Sequence, residues 1–149
     1  MRLVLNGEPV ELEARADETL LTVLRRAGRL SVRETCGIGV CGACTVLVDG
    51  ASMSGCLLLA RAVEGRVVTT AEGLGGDDPV QRAFVAAQGF QCGYCTPGMV
   101  LAAKELLAET PAPSDADIRT ALSGNLCRCG SYVKIVQAVQ LAAKEVGNG

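Results

Sequence analysis

The spacing of apolar residues changes about half-way along the chain. In the first half, short runs such as Thr45–Val48 alternate with glycine-containing turns, a pattern that predicts β-strands. Beyond residue 79, apolar residues recur every three or four positions, as an amphipathic helix requires. The sequence therefore predicts an α+β protein with a β-rich first half and a helical second half.

Turn residues divide the first half into elements. An Asn6-Gly7 turn joins apolar runs at residues 3–5 and 10–13, which predicts a β-hairpin. A helix follows, for which Asp17 is the expected N-cap, and it ends at a glycine. The remaining strands of the predicted small mixed sheet are residues 45–48, 56–59 and 67–70.

A segment rich in glycine and acidic residues, residues 72–79, separates the halves. Four helices are expected beyond it, the first opened by Pro79 after Asp77 or Asp78 as its cap. The later ones are expected at residues 98–108, 118–122 (after a weak capping box at 114–117) and about 132–145. We therefore predict two domains, residues 1–74 and 75–149, the second a compact four-helix bundle.

Composition narrows the possible functions. The net charge of -2 gives no basic surface for nucleic acid, and the chain contains no histidine, which excludes Rieske clusters and histidine-ligated zinc. No apolar stretch predicts membrane insertion and no leader is evident, so we expect a cytoplasmic location. In that reducing compartment, eight cysteines favour metal over disulfides. Tyr94 and Tyr132 are expected to fill core volume, since aromatic residues make up only 3% of the chain.

The first four cysteines have the spacing C-x4-C-x2-C, followed eleven residues later by the fourth: Cys36, Cys41, Cys44 and Cys56. This is the spacing of plant-type [2Fe–2S] ferredoxins, in which one glycine-rich loop supplies three thiolates. The loop also matches the dinucleotide motif G-x-G-x-x-G. That motif needs a strand before it and a helix after it, whereas this loop leads into a predicted strand.

The other four cysteines form a C-x2-C pair and a C-x-C pair, 31 residues apart: Cys92, Cys95, Cys127 and Cys129. Both pairs precede predicted helices, whose N-termini favour an anionic thiolate cluster. Zinc and disulfides are the alternatives, but zinc sites usually combine C-x2-C pairs or add histidine.

Three segments together resemble the small iron–sulfur subunit of the molybdenum hydroxylases, the family of xanthine dehydrogenase, aldehyde oxidoreductase and carbon monoxide dehydrogenase. They are residues 34–50 (ETCGIGVCGACTVLVDG), 91–98 (QCGYCTPG) and 124–129 (GNLCRC). The resemblance implies a β-grasp ferredoxin-like domain with one [2Fe–2S] cluster on the first four cysteines. It implies a helical domain with a second cluster on the last four. Many members continue the last motif as Cys-Thr-Gly-Tyr, where this chain has Gly130 and Ser131.

The resemblance also implies partners. A large subunit would hold the molybdopterin cofactor, and a medium subunit would hold FAD, in a heterotrimer or a dimer of heterotrimers. Single electrons would pass from the molybdopterin through both clusters to FAD or another acceptor. Gln91 and Cys129 match the positions that face the pterin, although Gln91 can instead bridge backbone groups near the cluster. The alternatives are a free-standing two-cluster electron carrier and a zinc-stabilised interaction module.

Overall fold

The first half of the chain folds into a five-stranded mixed sheet packed on one helix. The computed structural model describes residues 1–147. The elements of this half are β1 (Arg2–Leu5), β2 (Glu8–Glu11), α1 (Leu20–Arg26), β3 (Thr45–Val48), β4 (Ala51–Ser54) and β5 (Val67–Thr69). The strand order is β2-β1-β5-β3-β4, with β1 and β5 parallel and the other neighbours antiparallel. The predicted α+β fold class is confirmed.

Strand β4 corrects one sequence prediction. Asp49 and Gly50 have φ angles of 51° and 89° and form the tight turn after β3, so Ala51 pairs directly with Val48. The predicted strand at residues 56–59 is wrong, since residues 56–57 form a turn, residue 58 a bend, and Leu59 an isolated bridge to Thr19. Strand β4 has a polar sequence and forms because the turn places it beside β3. The spacing of apolar residues therefore does not predict it.

The N-cap of helix α1 lies two residues later than expected. The N-cap is Thr19, whose hydroxyl accepts a hydrogen bond from Thr22 N, whereas the Asp17 carboxylate pairs with Arg15. The predicted cap is therefore wrong. The helix buries its apolar face against the sheet, in a core formed by Leu3, Leu5, Leu20, Leu21, Leu24, Val46, Val48, Val63 and Val68.

The second half contains the four predicted helices. They are α2 (Pro79–Ala86), α3 (Thr96–Glu109), α4 (Asp115–Ala121) and α5 (Tyr132–Gly147). Asp78 caps α2 ahead of its proline, and Ser114 and Asp117 form the predicted capping box of α4. The helices enclose a second core, which includes Phe84, Met99, Ala103, Leu107, Ile118, Ile135 and Val139.

The two halves meet where β3 packs against α3. Asn125 is buried at this junction, and its amide donates hydrogen bonds to Gly42 O (3.0 Å) and to Thr45 Oγ1 (3.2 Å). Gly98, in the first turn of α3, lies so close to Gly42 that a Cβ atom would overlap the Gly42 carbonyl oxygen. The junction thus brings the cysteine loop of the first half against the cysteine-bearing helix ends of the second.

Candidate metal centres

The first four cysteines converge at the open end of the β3–β4 hairpin. Cys44 directly precedes β3 and Cys56 follows β4, and the antiparallel pairing brings them together, with Gly55 N donating to Cys44 O at 3.2 Å. Cys36 and Cys41 come from the loop before β3 and are half-buried, while Cys44 and Cys56 are buried. The structure therefore brings all four predicted ligands into one region.

Backbone N–H groups of the loop donate hydrogen bonds to the thiol of Cys36, the outer cysteine of this set. The N–H groups of Ile38, Cys41 and Val40 lower the pKa of the Cys36 thiol to about 6, and the Cys41 thiol contributes. Such donors stabilise negative charge on sulfur. Left-handed φ angles at Gly37 and other glycines of the loop allow this turn of the backbone around the thiols.

The inner thiol Cys44 has the opposite environment. Burial raises its pKa to about 11, and the neighbouring Cys56 thiol adds to the increase, although the Cys56 N–H donates to the sulfur. A buried thiol of this kind is stable as a thiolate only with a compensating charge, which a bound iron would supply.

The last four cysteines meet at the N-terminal ends of α3 and α5. Cys95 directly precedes α3, and its carbonyl accepts the first helical hydrogen bond, from Met99 N at 3.1 Å. Cys127 is buried ahead of α5, Cys95 and Cys129 are half-buried, and Cys92 is exposed. Burial raises the pKa of Cys95 to about 12, whereas the Tyr94 N–H, followed by the Cys129 thiol, lowers the pKa of Cys92.

All eight cysteines are free, and their thiols contact each other in pairs. The pairs are Cys36 with Cys41, Cys44 with Cys56, Cys92 with Cys129, and Cys95 with Cys127. Residues 1–147 contain no group of three or more His, Cys, Asp or Glu side chains arranged to hold a metal ion. A [2Fe–2S] cluster takes two thiolates on each of its two irons, so the paired donors fit this group.

Gln91 and Cys129, the residues expected to face the pterin, also lie together. The Gln91 amide nitrogen donates to Cys129 O at 3.3 Å, and Gln91 is exposed. The glutamine thus bridges to a backbone group beside the second cysteine set, the alternative role that the sequence left open. Its exposed position leaves it accessible to a partner as well.

Neither tyrosine fills the core as expected. Tyr94 is 43% exposed and Tyr132 is 40% exposed. The Tyr94 hydroxyl donates to Glu34 O at 3.0 Å across the junction, and the Arg33 guanidinium lies 5.2 Å from the centre of its ring. The Tyr132 hydroxyl accepts a hydrogen bond from Cys127 N at 2.8 Å. Both tyrosines therefore use their hydroxyl groups to hydrogen-bond the backbone of the cysteine-containing loops.

Sequence reasoning missed the direct connection between the two cysteine sets. Leu126 N donates to Cys41 O at 2.9 Å, so one backbone hydrogen bond joins a cysteine of the first set to the residue before Cys127. Asn125, the neighbour of Leu126, secures the same contact from the junction. The segment GNLCRC contains both residues, but only the fold reveals which residues it meets.

Comparisons with known proteins agree with this geometry. Residues 3–72 match the family model of the 2Fe-2S iron-sulfur cluster binding domain, and residues 70–140 match that of a [2Fe-2S] binding domain. A nicotinate dehydrogenase subunit from Pseudomonas putida is 48% identical over 95% of this chain and 93% of its own. The chain belongs to the iron–sulfur small subunits of the molybdenum hydroxylases.

Solved structures of this family have the same fold. Quinoline 2-oxidoreductase from Pseudomonas putida 86 superposes with a TM-score of 0.93 at 39% identity, covering 100% of this chain and 97% of the matched one. Aldehyde oxidoreductase from Desulfovibrio gigas gives a TM-score of 0.94 at 35% identity, covering 99% of this chain but 17% of the matched one. Like other small subunits of the family, this chain has an electron-transfer role in an oxidoreductase. None of the helices in residues 1–147 is long and apolar enough to cross a membrane.

Proposed function

We propose that the eight cysteines hold two [2Fe–2S] clusters in the two sets predicted from their spacing. One cluster is bound by Cys36, Cys41, Cys44 and Cys56, and the other by Cys92, Cys95, Cys127 and Cys129. The thiol contacts support this assignment, because each set consists of two pairs and each iron takes one pair. When bound, each cluster accepts and releases one electron.

The observation that carries the relay function is the hydrogen bond from Leu126 N to Cys41 O, at 2.9 Å. It provides a short connection between the two sets, from Cys127 through the adjoining residue Leu126 to Cys41. The buried Asn125 amide holds this contact in place by bonding Gly42 O and Thr45 Oγ1. Electrons therefore pass between the halves through one hydrogen-bonded junction.

The exposed edges of the two sets give the relay its direction. Gln91 and Cys92 are exposed beside Cys129, so electrons enter here from a molybdopterin-binding large subunit. At the other set, Ile38 is 68% and Leu57 is 60% exposed, an apolar surface suited to an FAD-binding medium subunit. The assembly is a heterotrimer or a dimer of heterotrimers.

Two smaller assignments accompany this function. The domains are residues 1–74 and 75–149; in support, Gly75 and Gly76 both have left-handed φ angles ahead of the Asp78 cap. The C-terminal residues 148 and 149 lie outside the described part of the chain. The location is the reducing cytoplasm, which suits eight free cysteines.

Selective loss of one cluster tests the ligand assignment. We expect the full chain to contain about four irons and four sulfides and to give two EPR signals on reduction. Cys44→Ala and Cys127→Ala should each lose one signal and about half of the iron, and the lost signal should differ between them. Zinc in place of iron, or the loss of the same signal in both variants, would contradict the assignment.

Co-purification from the native host tests the partners. The chain should elute with two other proteins, one containing molybdenum and one containing FAD. Elution of the chain alone, with both clusters intact, would instead favour a free-standing electron carrier.

A further inference from the structure

Ser131 occupies a helix-capping position but does not cap. Its carbonyl accepts the first hydrogen bond of α5, from Ile135 N at 2.9 Å, so it is the N-cap residue. A serine at this position normally accepts a bond from a backbone N–H of the first turn. Ser114 does so at α4, where its hydroxyl accepts from Asp117 N at 3.2 Å. Within residues 1–147 the Ser131 hydroxyl has no hydrogen-bond partner, although the residue is only 6% exposed.

The polar groups of Ser131 lie instead beside a cysteine of the second set. Its N–H donates to Cys127 Sγ at 3.5 Å. The hydroxyl belongs to the same residue as this N–H donor, and it is buried with no hydrogen-bond partner in residues 1–147.

A buried hydroxyl without a partner costs stability, so its position beside a cysteine of the second set calls for an explanation. Hydrogen bonds to the sulfurs of an iron–sulfur cluster stabilise the extra negative charge of the reduced state and raise the reduction potential. A thiolate at Cys127 offers the acceptor that the Ser131 hydroxyl lacks.

We propose that Ser131 is a positioning residue that donates its hydroxyl hydrogen bond to Cys127 Sγ and thereby raises the potential of the cluster in the helical half. This rests on the proposed binding of that cluster by Cys127. We expect the effect on one of the two clusters, because Ser131 is buried in the second half and its N–H bonds Cys127, a cysteine of the second set.

An EPR-monitored redox titration of the full chain with both clusters tests the proposal. In Ser131→Ala and Ser131→Gly, the reduction equilibrium of one cluster should move at least tenfold toward the oxidised form, about 59 mV to lower potential for one electron. The other cluster serves as an internal reference and should not move. Ser131→Thr keeps the hydroxyl and should retain the wild-type potential. Ser123→Ala is the matched control, since the Ser123 hydroxyl is exposed and bonds Thr120 O.

Proton ENDOR gives a second readout that a purely structural role would not change. An exchangeable coupling to the same cluster should be present in the wild type and in Ser131→Thr, and absent in the alanine and glycine variants. Unchanged potentials in both of those variants, or equal shifts of both clusters, would overturn the proposal. Loss of the cluster from both variants would overturn it too, because Ser131 would then be needed for binding. A wild-type chain with fewer than two EPR signals would instead refute the proposed function itself.

Discussion

Asn125 illustrates at the scale of a single residue how the two halves are joined. Its buried amide donates to Gly42 O and to Thr45 Oγ1. Asn125→Ala removes these bonds and should lower the free energy of unfolding by about 1–3 kcal/mol. Asn125→Asp has nearly the same shape but sets a carboxylate against a carbonyl oxygen, and should cost about 3–5 kcal/mol at neutral pH.

Urea unfolding of the cluster-loaded chain measures both changes. The aspartate variant should recover stability as the pH falls, because a protonated carboxyl can donate to Gly42 O again. Equal stability of the two variants at neutral pH would show that the amide makes no specific contribution. Ser123→Ala, an exposed substitution close by in the sequence, is the control and should stay near the wild type.

Glu18, just before α1, makes a pH-dependent contribution to the stability of the fold. The Arg26 guanidinium, at 2.5 Å, and the Arg15 N–H lower the pKa of this carboxyl from 4.5 to about 2. A carboxyl with a lowered pKa in the folded state stabilises the protein above pH 4.5, and this contribution is lost as the pH falls toward 2. Glu18→Gln should therefore be less stable at neutral pH and lose less stability between pH 4.5 and pH 2.

Unfolding midpoints at a series of pH values check this expectation. Arg26→Gln removes the main cause of the lowered pKa and should flatten the same pH interval. A wild-type pH dependence in both variants would contradict the role of this ion pair.

At the scale of whole elements, the start of α2 combines a cap with a contact to α3. The Asp78 carboxylate accepts from Val80 N at 3.0 Å and pairs with Lys104 Nζ at 2.5 Å. Asp78→Ala removes both interactions, whereas Asp78→Asn keeps a good cap and loses only the ion pair. We expect the alanine variant to be less stable than the asparagine variant by about 0.5–2 kcal/mol in thermal or urea unfolding. An equal loss of stability in the two variants would mean that the ion pair, and not the cap, accounts for the contribution of Asp78.

The elements also show what the sequence can predict. Asp78 and Ser114 are predictable as caps because their motifs are local. Asp17 is not the cap, since its carboxylate bonds Arg15 and leaves Thr19 to cap α1. Strand β4 escapes prediction because its polar sequence lies at the edge of the sheet and is held by backbone pairing to β3.

The candidate site shows the same division. Cysteine spacing predicts two sets of four, and the structure brings each set together. The cysteine spacing does not predict which thiols pair. The β3–β4 hairpin brings Cys44 to Cys56, and the packing of the helices brings Cys95 to Cys127. The Leu126–Cys41 hydrogen bond is equally hidden, since it joins residues far apart in the sequence.

At the scale of the whole molecule, function depends on how closely the halves approach, and Gly98 sets that distance. Alanine is normally favoured over glycine inside a helix by about 1 kcal/mol. Here a Cβ would overlap the Gly42 carbonyl oxygen, which is backbone and cannot turn aside. Gly98→Ala should therefore be destabilising, by about 1–3 kcal/mol, in spite of its better helix propensity.

The same substitution should weaken communication between the clusters, because separating the halves lengthens the Leu126–Cys41 contact. We expect a smaller magnetic interaction between the two reduced clusters by EPR and slower electron exchange, with the iron content unchanged. Gly124→Ala is the matched control, since a Cβ there would have no atom of residues 1–147 within 4 Å apart from its chain neighbours. A Gly98→Ala variant that is more stable than the wild type and has the wild-type magnetic coupling would contradict this prediction. The junction would then accommodate the methyl group without separating the halves. The expected result would mean that the contact between the halves limits electron transfer as directly as the cysteines that we propose as cluster ligands.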